Sequence, residues 1–149
     1  MTGVRSDPRP AQTADLPEIV DLLERAGLPL QGLGETSLWV AVADDAGGLA
    51  GVVGLESHGD VGLLRSLAVH EEHRGQGRGL ALVERVVAEA RRRALQGLYL
   101  LTTDADAYFR THGFEPTTRA SVPDALLTSA EFRGACPDTA TVMVLALDR

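Results

Sequence analysis

The sequence has little that would staple it, anchor it or commit it to a charged partner. Its 149 residues include one cysteine, Cys136, so neither an internal disulfide nor a Cys-rich metal site can form. Basic residues do not dominate. Fourteen Lys+Arg stand against 21 Asp+Glu, a formal net charge of −7, which sets aside a general nucleic-acid binder. No apolar stretch is long enough to span a bilayer, and the opening ten residues lack the apolar core of a secretory signal. The expectation is a cytoplasmic protein without membrane or nucleic-acid partners. His70 and His73 lack a spaced carboxylate pattern, so no metal is expected either. The remainder is ordinary for a globular domain, with 44% hydrophobic and 23% charged residues in a length that buries a core as one unit.

Residues 1–12, polar and proline-rich, read as a flexible N-terminal arm, and 13–149 as a single domain. Asp15 ahead of Leu16-Pro17 can cap a helix whose apolar face is Ile19, Leu22, Leu23 and Ala26, stopped by Gly27. Ser37 to Ala43 and Leu49 to Leu55 have strand composition around the turn cluster at 44–48, and Val61 to Val69 is a third strand. A helix from about Gly79 to Ala94 follows, with Leu80, Val83, Val87, Ala90 and Ala94 on one face. Leu98 to Thr102 is a short buried strand. Then come a short helix from Ala105 to His112, a strand at 114–116, a helical stretch from Pro123 to Phe132 and a closing strand from Thr141 to Leu147. Hairpins followed by strand–helix alternation give an α/β fold, a mixed sheet with helices on both faces.

The chemistry concentrates between the third strand and the long helix, at Arg74-Gly75-Gln76-Gly77-Arg78-Gly79. A glycine-rich turn opening a helix leaves N–H groups unpaired and aimed outward, where the helix dipole favours an anion. Glycines let a phosphate approach the backbone, and Arg74 and Arg78 can add charge-assisted hydrogen bonds. The Rossmann fingerprint needs Gly-x-Gly-x-x-Gly in a parallel unit, whereas here the glycines fall at 75, 77 and 79 after hairpins. A P-loop needs Gly-Lys-Ser/Thr, and no lysine is near.

The loop instead resembles the acetyl-CoA loop of the GNAT family of N-acetyltransferases, Arg/Gln-x-x-Gly-x-Gly/Ala after a Leu-Ala-Val strand. It is matched at Arg74, Gly77 and Gly79 with Leu67-Ala68-Val69 upstream. Gly113-Phe114 after a short helix resembles the family's second block. More narrowly, Leu63 to Val69, Leu98 to Thr103 and Ala130-Glu131-Phe132 with Cys136-Pro137 resemble the arsenic-resistance N-acetyltransferases. The resemblance implies a mostly antiparallel twisted sheet of about six or seven strands, splayed at the cofactor strand. It also implies acetyl-CoA as cosubstrate, direct acetyl transfer to a small-molecule amine, and a homodimer as one assembly. By the same resemblance Leu67 offers its backbone amide to the thioester oxygen. Leu67, Ala68 and Val69 line the pantetheine arm, and Arg74, Gly75, Gln76, Gly77, Arg78, Gly79 and Leu80 surround the diphosphate. Thr102 and Phe109 fall where the family often has asparagine and a proton-donating tyrosine.

Those two departures leave the thiol's proton donor open. Tyr108 lies about 100° around a helix from Phe109. The strand before the loop carries no Asp or Glu, so the base is either a water chain or Glu56. Arg65, in an otherwise apolar strand, is either a clamp for an anionic acceptor group or an ion-paired arginine. Residues 28–35 and 119–140 are candidate walls of the acceptor site, and Cys136 is more simply read as packing. Two other activities stay open: a protein N-acetyltransferase, and a sensor that binds acetyl-CoA without turnover.

Overall fold

The computed structural model describes residues 8–31, 33, 38–45, 48–70, 77–129, 131–135 and 139–147. Its centre is a seven-stranded sheet in the order β1-β2-β3-β4-β5-β7-β6. The strands are β1 (Arg9–Pro10), β2 (Leu38–Asp45), β3 (Gly48–His58), β4 (Val61–Val69), β5 (Gly97–Thr102), β6 (Glu115–Thr117) and β7 (Thr141–Ala146). Every neighbour pair is antiparallel except β4 with β5. The mixed, mostly antiparallel sheet expected from the sequence is therefore present. No described helix is long and apolar enough to cross a membrane.

Helix α1 (Leu16–Arg25) covers one face and α2 (Arg78–Arg92) the other, with short α3 (Asp106–Arg110) beside α2's start. Ile19, Leu22 and Leu23 of α1 pack on Val42, Val52 and Ala68, whereas Leu82, Val83, Val86 and Ala90 of α2 pack on Ala41, Val53, Leu55 and Leu64. Alternate residues of β3 thus serve opposite cores, as a two-sided sheet requires. The buried stripe of α2 runs through Leu82, Val86 and Ala90 rather than through Leu80 and Val87. Leu80 is exposed in the first turn, because that turn faces a cleft and not the sheet.

Several local expectations are corrected. Within the stretch read as a loose arm, Arg9 and Pro10 pair with Val42 and Ala41, and Arg9 bridges Asp15 at 2.9 Å and Asp44 at 3.0 Å. Asp15 precedes α1 but does not cap it. A 3-10 turn (Thr13–Asp15) comes first, so the carboxylate turns back to accept from the Gln12 N–H at 2.7 Å. The helical pattern at 123–132 is broken into a 3-10 turn (Asp124–Thr128) and a π-turn (Glu131–Ala135). Ser129 between them is extended, and its hydroxyl accepts the Glu131 N–H, the local competition that disfavours serine inside helices.

Glu89 closes the last turn of α2 against three arginines, with Arg93 Nε donating at 2.9 Å. The Arg92 hydrogen bond holds the Glu89 carboxyl down at about 2 against the opposing effect of burial, and Arg93 adds to the lowering. A depressed carboxylate contributes stability that is complete above its unfolded pKa, about 4.3, and is lost as pH falls towards its folded value. The drop in thermal midpoint between pH 7 and pH 3 should therefore be smaller in Glu89→Gln than in the native chain. Equal drops would mean that these ion pairs contribute nothing.

Candidate active site

β4 and β5 pair only at Val61–Gly97, Gly62–Leu98 and Leu63–Tyr99. Beyond Leu63 they part. β4 stays on β3 as far as Val69, and β5 stays on β7 as far as Thr102. The parting opens a cleft of about 870 Å³ between Leu64–Val69 on one wall and Leu100–Ala105 on the other. The splay expected at the cofactor strand is this divergence.

A bulge marks β4 inside the cleft. Gly54 faces Arg65 and Val52 faces Ala68, so Val53 alone stands opposite Ser66 and Leu67. Ser66 takes the left-handed conformation, φ 61°. Such a bulge takes one residue out of the ladder and re-aims its backbone and side chain, which is why bulges recur beside sites of chemistry. Leu67, expected to present its amide, therefore lies at the one irregular step of the strand.

The two ends of the cleft differ in character. From Arg65 to Val69 is about 13 Å at the ordinary rise of a strand. At the Val69 end sits the start of α2. Gly77 precedes the helix in the left-handed region at φ 79°, and its first turn contains no acid. The Ala81 N–H is the first to bond back within the helix, to the Gly77 carbonyl at 3.0 Å. The amides of Gly79 and Leu80, in the first turn, thus have no acceptor within the helix itself. Gly77, Gly79 and Leu80 line the cleft, so the positive end of a 15-residue helix opens onto it. The Arg78 side chain is buried and donates to the Asp44 carbonyl at 3.2 Å. Arg74, Gly75 and Gln76, the rest of the expected diphosphate cradle, lie outside the described residues, as does Cys136.

α3 forms the side wall. Phe109 is buried, edge-on to Phe114 at 5.8 Å, and reaches the cleft. Thr102 is also at the wall, its hydroxyl accepting the Ala105 N–H at 3.0 Å. Sequence reasoning passed over Tyr108, which lines the cleft as well. Its hydroxyl lies over Gly79, 2.5 Å from where a Cβ there would stand, and burial raises its pKa. The missing side chain at position 79 was the signal: a glycine in the first turn of a helix makes room for something.

At the Arg65 end the wall is charged. The Arg65 side chain is fully buried, with Nη1 donating to Glu56 at 2.9 Å and Nε to the Ser66 hydroxyl at 2.9 Å. Glu131 lies 3.5 Å from the same Nε, and the Pro29 carbonyl 3.4 Å from Nη2. Of the two readings of Arg65, the observed contacts are those of the ion-paired arginine. Glu56 does not line the cleft. Burial pushes its carboxyl up, but hydrogen bonds from Arg65, His58 and Ser129 outweigh this and leave it below the ordinary value. His58 Nε2 is 2.8 Å from it. Pro29 and Gln31, from the expected acceptor lip, and Glu131 and Ala140, from the expected opposite wall, do line the cleft. Among the described residues no cluster of His, Cys, Asp or Glu could hold a metal ion.

A split sheet with the start of a helix at one end of the gap is the arrangement of an acyl-CoA-dependent transferase. The acetyltransferase (GNAT) domain family matches residues 34–116, more than half of the chain, and the chain belongs to that family. An amino-acid acetyltransferase of Pseudomonas fluorescens is 44% identical over 66 residues, 44% of this chain and 15% of its own length. That of an Enterobacter strain is 38% identical over 65 residues, with the same shares. The chain thus spans about 15% of the curated relatives it matches. Among solved structures, N-acetylglutamate synthase from Neisseria gonorrhoeae, complexed with CoA and N-acetyl-glutamate, aligns with a TM-score of 0.81 at 23% identity, over 100% of this chain and 36% of that one. A Mycobacterium tuberculosis protein in complex with CoA and NLQ gives 0.78 at 26% identity, over 95% of this chain and 99% of its own.

Proposed function

We propose that this chain transfers the acetyl group of acetyl-CoA to the amino group of a small amino compound, most simply an amino acid. The observation that carries the reading is the cleft between β4 and β5, with the start of α2 at its far end. A long, thin cosubstrate with a diphosphate at mid-length fits a gap that ends on the positive end of a 15-residue helix. Bound there, acetyl-CoA supplies an activated acyl carbon, and CoA leaves as a thiol.

The chain's own residues do the rest. The amides of Arg78, Gly79 and Leu80, with Arg74, Gly75 and Gln76 from the preceding loop, hold the diphosphate. Ala68 and Val69 offer strand-edge groups to the pantetheine arm, and Thr102 and Phe109 form its far wall. The bulge at Ser66 aims the Leu67 amide at the oxygen that gains charge as the amine attacks, a donor worth most where water is excluded. The walls set the reacting atoms in line. Glu56 reaches the cleft only through Arg65, which keeps its proton at any working pH, so the amine's proton leaves through water.

The acceptor class rests on the relatives, which are amino-acid acetyltransferases. The resemblance of Leu63 to Val69 to arsenic-resistance enzymes adds an arsenic-bearing amino compound to the trial set. Calorimetry with acetyl-CoA, and thiol release across free amino acids, amino-acid amides, an arsenic-bearing amino acid and a peptide N-terminus, test the reading together. Acetyl-CoA binding with release on small amino compounds is expected. Release only with the peptide would make it a protein acetyltransferase, and binding with no release on any amine would make it a sensor.

A further inference from the structure

The bulge in β4 re-aims a side chain as well as an amide. In a regular strand Arg65 and Ser66 would point to opposite faces, yet Arg65 Nε donates to the Ser66 hydroxyl at 2.9 Å. The left-handed backbone at Ser66, φ 61°, turns both side chains to one side. That side belongs to the cleft. The same guanidinium has the Pro29 carbonyl 3.4 Å from Nη2 and Glu131 3.5 Å from Nε, and Pro29, Ser66 and Glu131 all line the cleft. A hydroxyl that accepts from an N–H still has its own O–H to give. Ser66 is 7% exposed, and its bond from Arg65 is the one hydrogen bond its side chain makes among the described residues. Arg65 is itself fixed, with Nη1 on Glu56 at 2.9 Å and Glu56 2.8 Å from His58 Nε2. The hydroxyl is thus held from behind by a cation that keeps its charge, which turns the O–H away from the guanidinium and strengthens it as a donor. Glycine would adopt this conformation without penalty, whereas serine is strained in it, and strain of this kind gathers at sites of chemistry.

We propose that the Ser66 hydroxyl donates its O–H to the thioester oxygen of acetyl-CoA, beside the Leu67 amide, with Arg65 as the residue that positions it. The assignment rests on the acetyl-transfer reading above. Ser66 Oγ and the Leu67 nitrogen are a few bonds apart and so lie within about 5 Å of each other, close enough to converge on one oxygen. As the amine adds to the acyl carbon, the carbonyl electron pair moves onto that oxygen, and two donors meet the charge instead of one. The pair then returns, the C–S bond breaks, and its electrons leave with the CoA sulfur. Serine keeps its proton throughout and forms no bond to the acyl group.

Infrared spectra of acetyl-CoA isotope-labelled at the acetyl carbonyl read the contact without turnover. Bound to the native chain, the carbonyl band should fall below that of the free thioester. In Ser66→Ala it should return part of the way, the Leu67 amide being left. Calorimetric affinity for acetyl-CoA should drop by less than about tenfold, the range of a neutral hydrogen bond. With whichever free amino acid or amino-acid amide the native chain acetylates, kcat should fall by about a hundredfold or more and the acceptor KM should stay. Ser66→Gly removes the same hydroxyl in a residue that takes a positive φ without strain, so it gives the same readings should Ser66→Ala fail to fold. If the hydroxyl only satisfies Arg65, both variants will lower the urea midpoint while the bound carbonyl band stays at its native position. The proposal then fails with the transfer reading intact. If the native chain does not bind acetyl-CoA, both fall. A Ser66-dependent band with no thiol release on any amine upholds the contact and removes the transfer reading.

Discussion

Gly77→Glu should weaken acetyl-CoA binding by about a hundredfold or more, close to 2.7 kcal/mol. Two effects combine. Gly77 sits at φ 79°, where a side chain costs about 1–2 kcal/mol. A carboxylate at the start of α2 would also satisfy the helix's own amides and dipole, competing from within the chain for the donors a diphosphate needs. Gly77→Asn separates the two, because asparagine tolerates the left-handed region and adds no charge. Its affinity should stay within about tenfold of the native value, on the same strain scale. Calorimetric titration of both variants decides the matter. An undiminished affinity in Gly77→Glu removes α2 from the cofactor site and the acetyltransferase reading with it.

Arg65→Met should be the most destabilising single change in the cleft wall, by about 3–5 kcal/mol. The loss is larger than that of the pair itself, since Glu56, 5% exposed, would be left as a buried charge without the arginine that lies 2.9 Å from it. Adding Glu56→Gln should recover part of it, because the excess charge is then removed along with its partner. Urea midpoints of the single and double variants read this directly. A midpoint unchanged in Arg65→Met would mean that the arginine is not held as the structure shows. If the protein instead stays folded and only acceptor affinity falls, the anion-clamp reading regains ground.

Much of this architecture was readable in the chain. The boundaries of β4 coincide with the apolar run Val61 to Val69, and the start of α2 with the last glycines of the loop, because strand composition and glycine placement are local signals. What could not be read was long-range. Arg65 was legible as an anomaly in an apolar strand, but its partners lie 9 residues away at Glu56 and far along the chain at Glu131, a pairing that only the closed fold defines. Glu131 carries no such signal, since one acid in a loop has no periodicity to betray it. The segment at 123–132 looked helical because its apolar residues keep a 3.6 rhythm, and Ser129 overrode that rhythm by bonding to its neighbour's backbone. Tyr108 was set aside on the geometry of a regular helix, yet α3 is one short turn packed against α2, and two adjacent residues of it both reach the cleft.

The sheet's outer margins have a consequence for self-association. β1 is two residues and β6 three, and each contains a proline, Pro10 and Pro116. Unfinished sheet borders are templates on which another chain can grow, and brevity and proline are the two commonest ways to deny a foothold. A second copy adding itself strand-to-strand at either border would begin from a fragment with one donor missing. A dimer of this protein, if it forms, has better purchase on a helical or loop surface than on the ends of the sheet.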